Sequence, residues 1–381
     1  MLFVREFVRP LADRLRPGRW LWAAVFVGGA LTIAAAPAPG ASERQPSAGL
    51  APALTAIASS PNLNLLAPLP AVAPPVRIGQ PLRWAYMVGA SLPDSLRDHA
   101  GQIDIIAPAW FHTDANGTLV GSDSPAVSQF ARTHGIKIVP IVSNGAGFQG
   151  SVAHALLTDG NRQTNLLDSL QWLVQTYGYA GVNIDFENVP PADRDGFSAL
   201  MSNIHARLHP LGSLVTAAVP AKTAEKYTGF GGPFNYAALA PNLDLAVIMA
   251  YDQHYAGSGP GPVADVAWVN DVVSYAKSQI PASKLLLGIP FYGYDWAGHG
   301  GGRAVSYADV VNKVFATGAT IHMDEASQTP SFSYGSHQVW FENSDSLKAK
   351  LNLVTSNNLA GWGAWRLGQE DPNFWTLTLG R

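Results

Sequence analysis

The sequence predicts an α/β fold, a closed (β/α)8 TIM barrel with a small α+β insertion between its seventh and eighth strands. Two observations carry this. From about Gln80 onward, short apolar runs alternate with longer amphipathic stretches, the pattern of repeated βα units around a parallel sheet. The runs number eight in about 300 residues, which suits a closed barrel better than an open sheet. No glycine-rich dinucleotide or phosphate-binding fingerprint supports the open alternative.

The expected strands are Trp84 to Val88, Ile103 to Ala107, Ile136 to Val142, Gly181 to Phe186, Leu214 to Val219, Leu243 to Met249, Leu285 to Phe291 and Gly361 to Leu367. Between them, Leu166, Leu170, Leu173 and Tyr177 mark one helical face. Phe197, Leu200, Met201, Ile204 and Leu208 mark the next, and Val269, Val272, Val273, Ala276 and Ile280 another. One interval is too long for a plain connection. About 48 residues separate Trp296 from the helical stretch Ser344 to Thr355, with strand-like runs at Phe332 to Tyr334 and Val339 to Phe341. This predicts an insertion over about 297–343 that forms one wall of a cleft.

Composition narrows the function. Hydrophobic residues make up 47% of the chain, charged residues 13%, and the net charge is -3, so there is material for a core and no electrostatic case for a nucleic-acid partner. The absence of cysteine excludes a disulfide framework, a thiolate zinc site and a cysteine nucleophile. Arg5, Arg9, Arg14, Arg16 and Arg19 precede an uncharged apolar run from Trp20 to Ala36. Residues 1–41 are therefore expected to be a signal peptide or an N-terminal membrane anchor, the run being near the lower limit for a span. Residues 42–79, rich in Ala and Pro, read as a linker, with Leu63, Leu65 and Leu66 as the side chains that would dock if it packed instead. The domain over 80–381 would then lie outside the cytoplasm: periplasmic, at the cell surface or extracellular. A monomer without a cofactor is expected. His205 and His209, four apart, lack the glutamate of an HExxH motif and read as surface histidines rather than metal ligands.

The most informative segment is Tyr179 to Val189, YAGVNIDFENV. Strand alternation puts Asn183, Asp185 and Glu187 on one face and Val182, Ile184 and Phe186 on the other. Both faces of a barrel strand are covered, so two inward carboxylates cost energy unless they are paired or used. An ion pair capping the barrel end needs a cation, but this strand has none, and Lys222 lies beyond the end of its neighbour. Glu187 falls at the strand's carboxyl end, where barrel enzymes place their chemistry.

These residues resemble the active-site strand of family 18 glycoside hydrolases, which include chitinases. That strand reads Asp, two residues, Asp, one residue, Asp, one residue, Glu, and Ala180, Asn183, Asp185 and Glu187 hold those places here. Asp185 and Glu187 match. Ala180 and Asn183 depart, which bears on pH optimum and rate. Met249-Ala250-Tyr251-Asp252 looks like the family's sixth-strand motif, Gly288 to Trp296 like its seventh strand, and Trp365 in GWGAWRLG like its eighth-strand tryptophan. The resemblance runs from about Trp84 to Gly380. NVPPADR, GPGPVADVAWV and VWFENSDS look most like the branch acting on bacterial cell walls in spore coats and germination.

The resemblance implies a retaining glycosidase that cleaves β-linked N-acetylglucosamine polymers, peptidoglycan or chitin, with the substrate's own 2-acetamido oxygen as nucleophile. Glu187 would be the acid, Asp185 would orient the acetamido group, Tyr251 would donate to its carbonyl oxygen, and Asn183 would hydrogen-bond Asp185. Trp365 would floor the site beneath the sugar. Met249 belongs to the sixth-strand motif, and Asp252, Tyr292 and Asn144 sit at strand ends within reach of sugar hydroxyls, the latter two reading equally as packing or cap residues. Trp110, Tyr294 and Trp296 are candidate sugar platforms. The alternative is a non-catalytic glycan-binding protein on the same barrel. Members that became lectins typically lose the glutamate, and Glu187 is present.

Overall fold

A computed structural model describes residues 81–298 and 301–377. The expected leader or anchor, residues 1–41, and the expected linker, residues 42–79, lie outside the described residues. All eight expected barrel strands are present: Leu82–Met87, Ile105–Pro108, a third in two pieces, Gly181–Asp185, Leu214–Pro220, Leu245–Met249, Leu285–Pro290 and Gly361–Trp365. Neighbours pair in parallel, and the eighth strand joins the seventh to the first.

Closure depends on the third strand. Its first piece, Lys137–Ile138, pairs with the second strand, and its second piece, Ile141–Asn144, pairs with the fourth. Pro140 between them has no N–H to donate, yet its carbonyl still accepts from Asn183 N (2.9 Å), while Val139 N donates to Ile106 O (3.0 Å). The ladder therefore runs unbroken around the ring.

Strand alternation divides the core in two. Trp84, Tyr86, Ile105, Ala107, Val139, Ile141, Leu245, Val247 and Leu286 fill the barrel interior, and the opposite faces pack under the helices, among them Gly160–Tyr177, Arg194–Leu208 and Val266–Gln279. Every helical-face residue expected from the sequence in the first two of these helices is at least partly buried against that layer. The Asp159 carboxylate caps the Gly160–Tyr177 helix by accepting from Asn161 N and Arg162 N, and Gly178 ends it at φ 64°. Gly288 permits close approach on the seventh strand, where a Cβ would come within 2.2 Å of Ile248 O and 3.0 Å of the Tyr251 ring.

The insertion is an antiparallel five-stranded sheet with one helix, Tyr307–Thr317, and its own core of Val305, Val310, Phe332, Val339 and Phe341. In sheet order the strands are Gly302–Ser306, Tyr292–Ala297, His337–Trp340, Thr329–Tyr334 and His322–Asp324. The sheet starts at Tyr292, earlier than the expected boundary near 297. YGYDWA alternates like a barrel strand, but it leaves the barrel after Pro290 and pairs with Gly302–Ser306 and His337–Trp340 instead. Its Tyr292, Tyr294 and Trp296 pack with Val263 against the barrel mouth.

Candidate active site

The fourth strand ends at Asp185, and Glu187 follows two residues later in the loop. Asn144, at the end of the third strand, fixes that loop. Its Oδ1 accepts from Glu187 N at 2.9 Å, and its Nδ2 donates to Glu187 O at 2.8 Å and Gln149 O at 3.0 Å. The side chain is wholly buried. The Asn144 amide is thus spent on the backbone that carries Glu187, the cap role and not the sugar contact.

Asp185 is 5% exposed, and its Oδ1 makes no hydrogen bond with the described residues. Burial pushes its carboxyl up to about 7. Glu187 is raised well above the usual carboxylate range, first by burial and then by the charges of Asp185 and Asp252. Two close carboxylates in a poorly solvated site favour a protonated member at neutral pH, the condition a general acid requires. Burial also raises the hydroxyls of Tyr86 and Tyr251 well above the ordinary tyrosine value, keeping them proton donors.

Asn183 is wholly buried, and its Oδ1 accepts from Thr216 Oγ1 at 3.0 Å. The expected bond from Asn183 to Asp185 is absent, since Nδ2 makes no hydrogen bond with the described residues. Ala180 packs against the apolar barrel interior. Ala180 is partly buried there, and its apolar side chain suits that surface. Lys222 is buried as well, but its ammonium goes to Glu225 (2.7 Å) and Phe234 O (2.8 Å) and sits over the Tyr236 ring.

Two clefts meet at the barrel mouth. The first, of about 960 Å³, is lined by seven of the expected residues: Asp185, Glu187, Met249, Tyr251, Asp252, Tyr292 and Trp365. The second, of about 890 Å³, shares Phe148, Asp185 and Trp365 with it and brings in Trp110. Tyr294 and Trp296 line neither. Both are 1% exposed; Tyr294 donates its hydroxyl to Asp252 Oδ1 at 2.9 Å, and Trp296 Nε1 donates to Ser258 O at 3.0 Å. Tyr292 also donates to Asp252 Oδ1, at 2.6 Å. The first strand of the insertion therefore fixes Asp252, whose backbone is left-handed at φ 60°. Phe148 and Asn188, at φ 57° and 53°, flank the same mouth, and Asn188 Nδ2 donates to Phe148 O at 3.0 Å. Backbone strain of this kind collects at working sites.

Sequence reasoning missed Tyr86, Phe148, Phe230, Tyr255 and Trp268 in the first cleft and His112, Ser143 and Arg366 in the second. Alternation from Trp84 would have placed Tyr86 on the inward face. Phe148, Phe230, Tyr255 and Arg366 sit on loops, where no periodicity aims a side chain, while Trp268 opens a helix and His112 and Ser143 lie in short strands at the barrel mouth. Away from the mouth, His205 and His209 stack at 4.4 Å, and His209 Nδ1 meets Asp244 Oδ1 at 3.3 Å.

Comparison with known proteins agrees with this geometry. The chain is 29% identical over 303 residues to the cortical fragment-lytic enzyme of Bacillus subtilis, covering 76% of this chain and 70% of the relative. Its fold is similar to the Bacillus cereus spore cortex-lytic enzyme SleL (TM-score 0.72, 27% identity, 78% of this chain and 73% of that one). It is equally similar to a chitinase from Chromobacterium violaceum (TM-score 0.72, 31% identity, 78% and 97%). Residues 84–370 match the glycosyl hydrolases of family 18. With that match spanning most of the barrel and the acidic pair at the end of its fourth strand, the chain belongs to family 18 of the glycosyl hydrolases and is a glycosidase.

Proposed function

We propose that this enzyme is exported and hydrolyses β-linked N-acetylglucosamine polymers of the cell wall with retention of configuration, using the substrate's 2-acetamido group as nucleophile. The observation that carries the reading is the placement of Asp185 and Glu187 in one poorly solvated cleft floored by Trp365 and bordered by Tyr251. Glu187 donates its proton to the glycosidic oxygen as the acetamido carbonyl oxygen attacks the anomeric carbon and the bond to the leaving sugar breaks. Asp185, whose Oδ1 has no hydrogen-bond partner among the described residues, takes the acetamido N–H and balances the cyclic oxazolinium ion. Tyr251 donates to the attacking oxygen. Water then adds to the anomeric carbon, returning its proton to Glu187 and regenerating the acetamido group.

Asp252, the remaining carboxylate of this cleft, accepts two tyrosine hydroxyls and serves to hold the wall. Relatives named for cortical fragments and for chitin both support a substrate containing N-acetylglucosamine. The test is incubation of the purified chain and its Glu187→Gln variant with N-acetylglucosamine oligomers and purified peptidoglycan, read by mass spectrometry. Cleavage should fall about a thousandfold in the variant, the middle of the range for a general acid. Oligomer binding without cleavage by the unaltered chain would replace the enzyme with a glycan-binding barrel.

A further inference from the structure

The two clefts differ in charge. Among the described residues, the lining of the first carries three carboxylates, Asp185, Glu187 and Asp252, and no basic side chain. The second has one carboxylate in its lining, the shared Asp185, and adds His112 and Arg366 beside the indole of Trp110 and the hydroxyl-bearing Ser143. Arg366 and Trp365, the floor of the cleaved sugar, both line this second cleft. Desolvation weakens the hold of Arg366 on its proton, consistent with a guanidinium drawn partly out of water.

The leaving sugar must lie beside Glu187, because that residue protonates its oxygen. Glu187 lines the first cleft and not the second, whereas Asp185 and Trp365 line both. The second cleft therefore receives the sugar on the other side, the one that precedes the cleaved residue toward the non-reducing end. In chitin that sugar is neutral. In peptidoglycan, N-acetylglucosamine alternates with muramic acid, whose lactyl ether ends in a carboxylate wherever no peptide is attached.

We infer that the cleft lined by Trp110, His112, Ser143 and Arg366 is a subsite for an acid-bearing sugar, holding the lactyl carboxylate of muramic acid one residue before the bond that is cut. This deepens the function proposed above and rests on it. Arginine presents two parallel N–H donors matched to a carboxylate, and an aromatic face supports the ring. The assignment sets the register of the polymer. With muramic acid in the second cleft, N-acetylglucosamine occupies the site over Trp365, and each cut releases a new reducing end of N-acetylglucosamine.

The experiment compares three tetrasaccharides on the full chain: an alternating one with free lactyl carboxylates, the same one with those groups capped as methylamides, and the all-N-acetylglucosamine tetramer. At low salt the free-acid substrate should show the highest kcat/KM, through KM more than kcat, and its lead over the amide should shrink as salt is raised. In Arg366→Gln the ratio of free acid to amide should fall about ten- to a hundredfold, the worth of one charge-assisted hydrogen-bond pair. His112→Gln should lower the same ratio. Both substrates are read on one enzyme sample, so the ratio is independent of how much of a variant folds, and the salt response of the unaltered chain tests the idea without any variant. Equal rates on free acid and amide, a ratio unmoved in both variants, or a newly formed reducing end on muramic acid would overturn the assignment. Cleavage of all three without preference removes this subsite alone, whereas cleavage of none removes the proposed function.

Discussion

Replacing Asn144 tests whether the catalytic glutamate is positioned by its backbone. In Asn144→Ala, Glu187 N and Glu187 O lose partners at 2.9 and 2.8 Å, while Gln149 O loses one at 3.0 Å but keeps Val152 N and Ala153 N. Each buried group left unmatched costs about 1–3 kcal/mol, and water entering the space left by the side chain recovers part of it, so the net loss should be about 2–5 kcal/mol. For a domain of this size that is a fall in Tm of roughly 5–10 °C. Asn144→Asp keeps the acceptor but turns both donated bonds into oxygen–oxygen repulsion, so it should be worse than Ala at neutral pH and recover part of the difference in acid. Thermal unfolding across pH measures the stability, and steady-state kinetics on an N-acetylglucosamine oligomer should show kcat falling with KM nearly unchanged. A variant with the parent's Tm and kcat would refute the positioning role. So would a loss confined to KM, which is the signature of a direct sugar contact.

Three further outcomes follow from buried charge. Burial raises Asp185 from 3.8 to about 7, so its contribution to stability is intact below 3.8 and is lost as pH climbs through about 7. Asp185→Asn removes that titration, so its stability relative to the parent should rise between about pH 4 and pH 7 and then level, as urea unfolding at a series of pH values would show; a relative stability that stays flat or falls over that range contradicts the burial argument. The raised carboxyl of Glu187 likewise predicts that kcat falls on the alkaline side as the proton it must deliver is lost. Behind the insertion, Lys350 donates to Glu342 at 2.8 Å, both no more than 2% exposed. Lys350→Met alone should cost about 3–5 kcal/mol by stranding the carboxylate, while the double variant Lys350→Met/Glu342→Leu should regain most of it in chemical denaturation.

The eight barrel strands were legible because each is an apolar run whose two faces are both covered, so burial alone writes them into the chain. The helical faces were legible for the same reason at a period near 3.6. Asp185 and Glu187 stood out because carboxylates on such a strand have no cheap structural explanation. The start of the insertion at Tyr292 was not legible, since the side-chain alternation of YGYDWA is identical whether the strand pairs within the barrel or within a second sheet.

What the sequence determined by itself, then, is the barrel, its acidic pair and its family. Tertiary structure decided the division of labour around that pair. Asn144 turned out to hold the backbone of Glu187, Tyr294 to hold Asp252, and Trp296 to tie down a loop carbonyl. Phe148, Phe230 and Arg366 arrived at the clefts from separate loops. The physical reason is range: burial along a strand or helix repeats every two or three to four residues and leaves a local trace, whereas a hydrogen bond between residues 43 apart, as from Asn144 to Glu187, is set by where the fold brings two loops together.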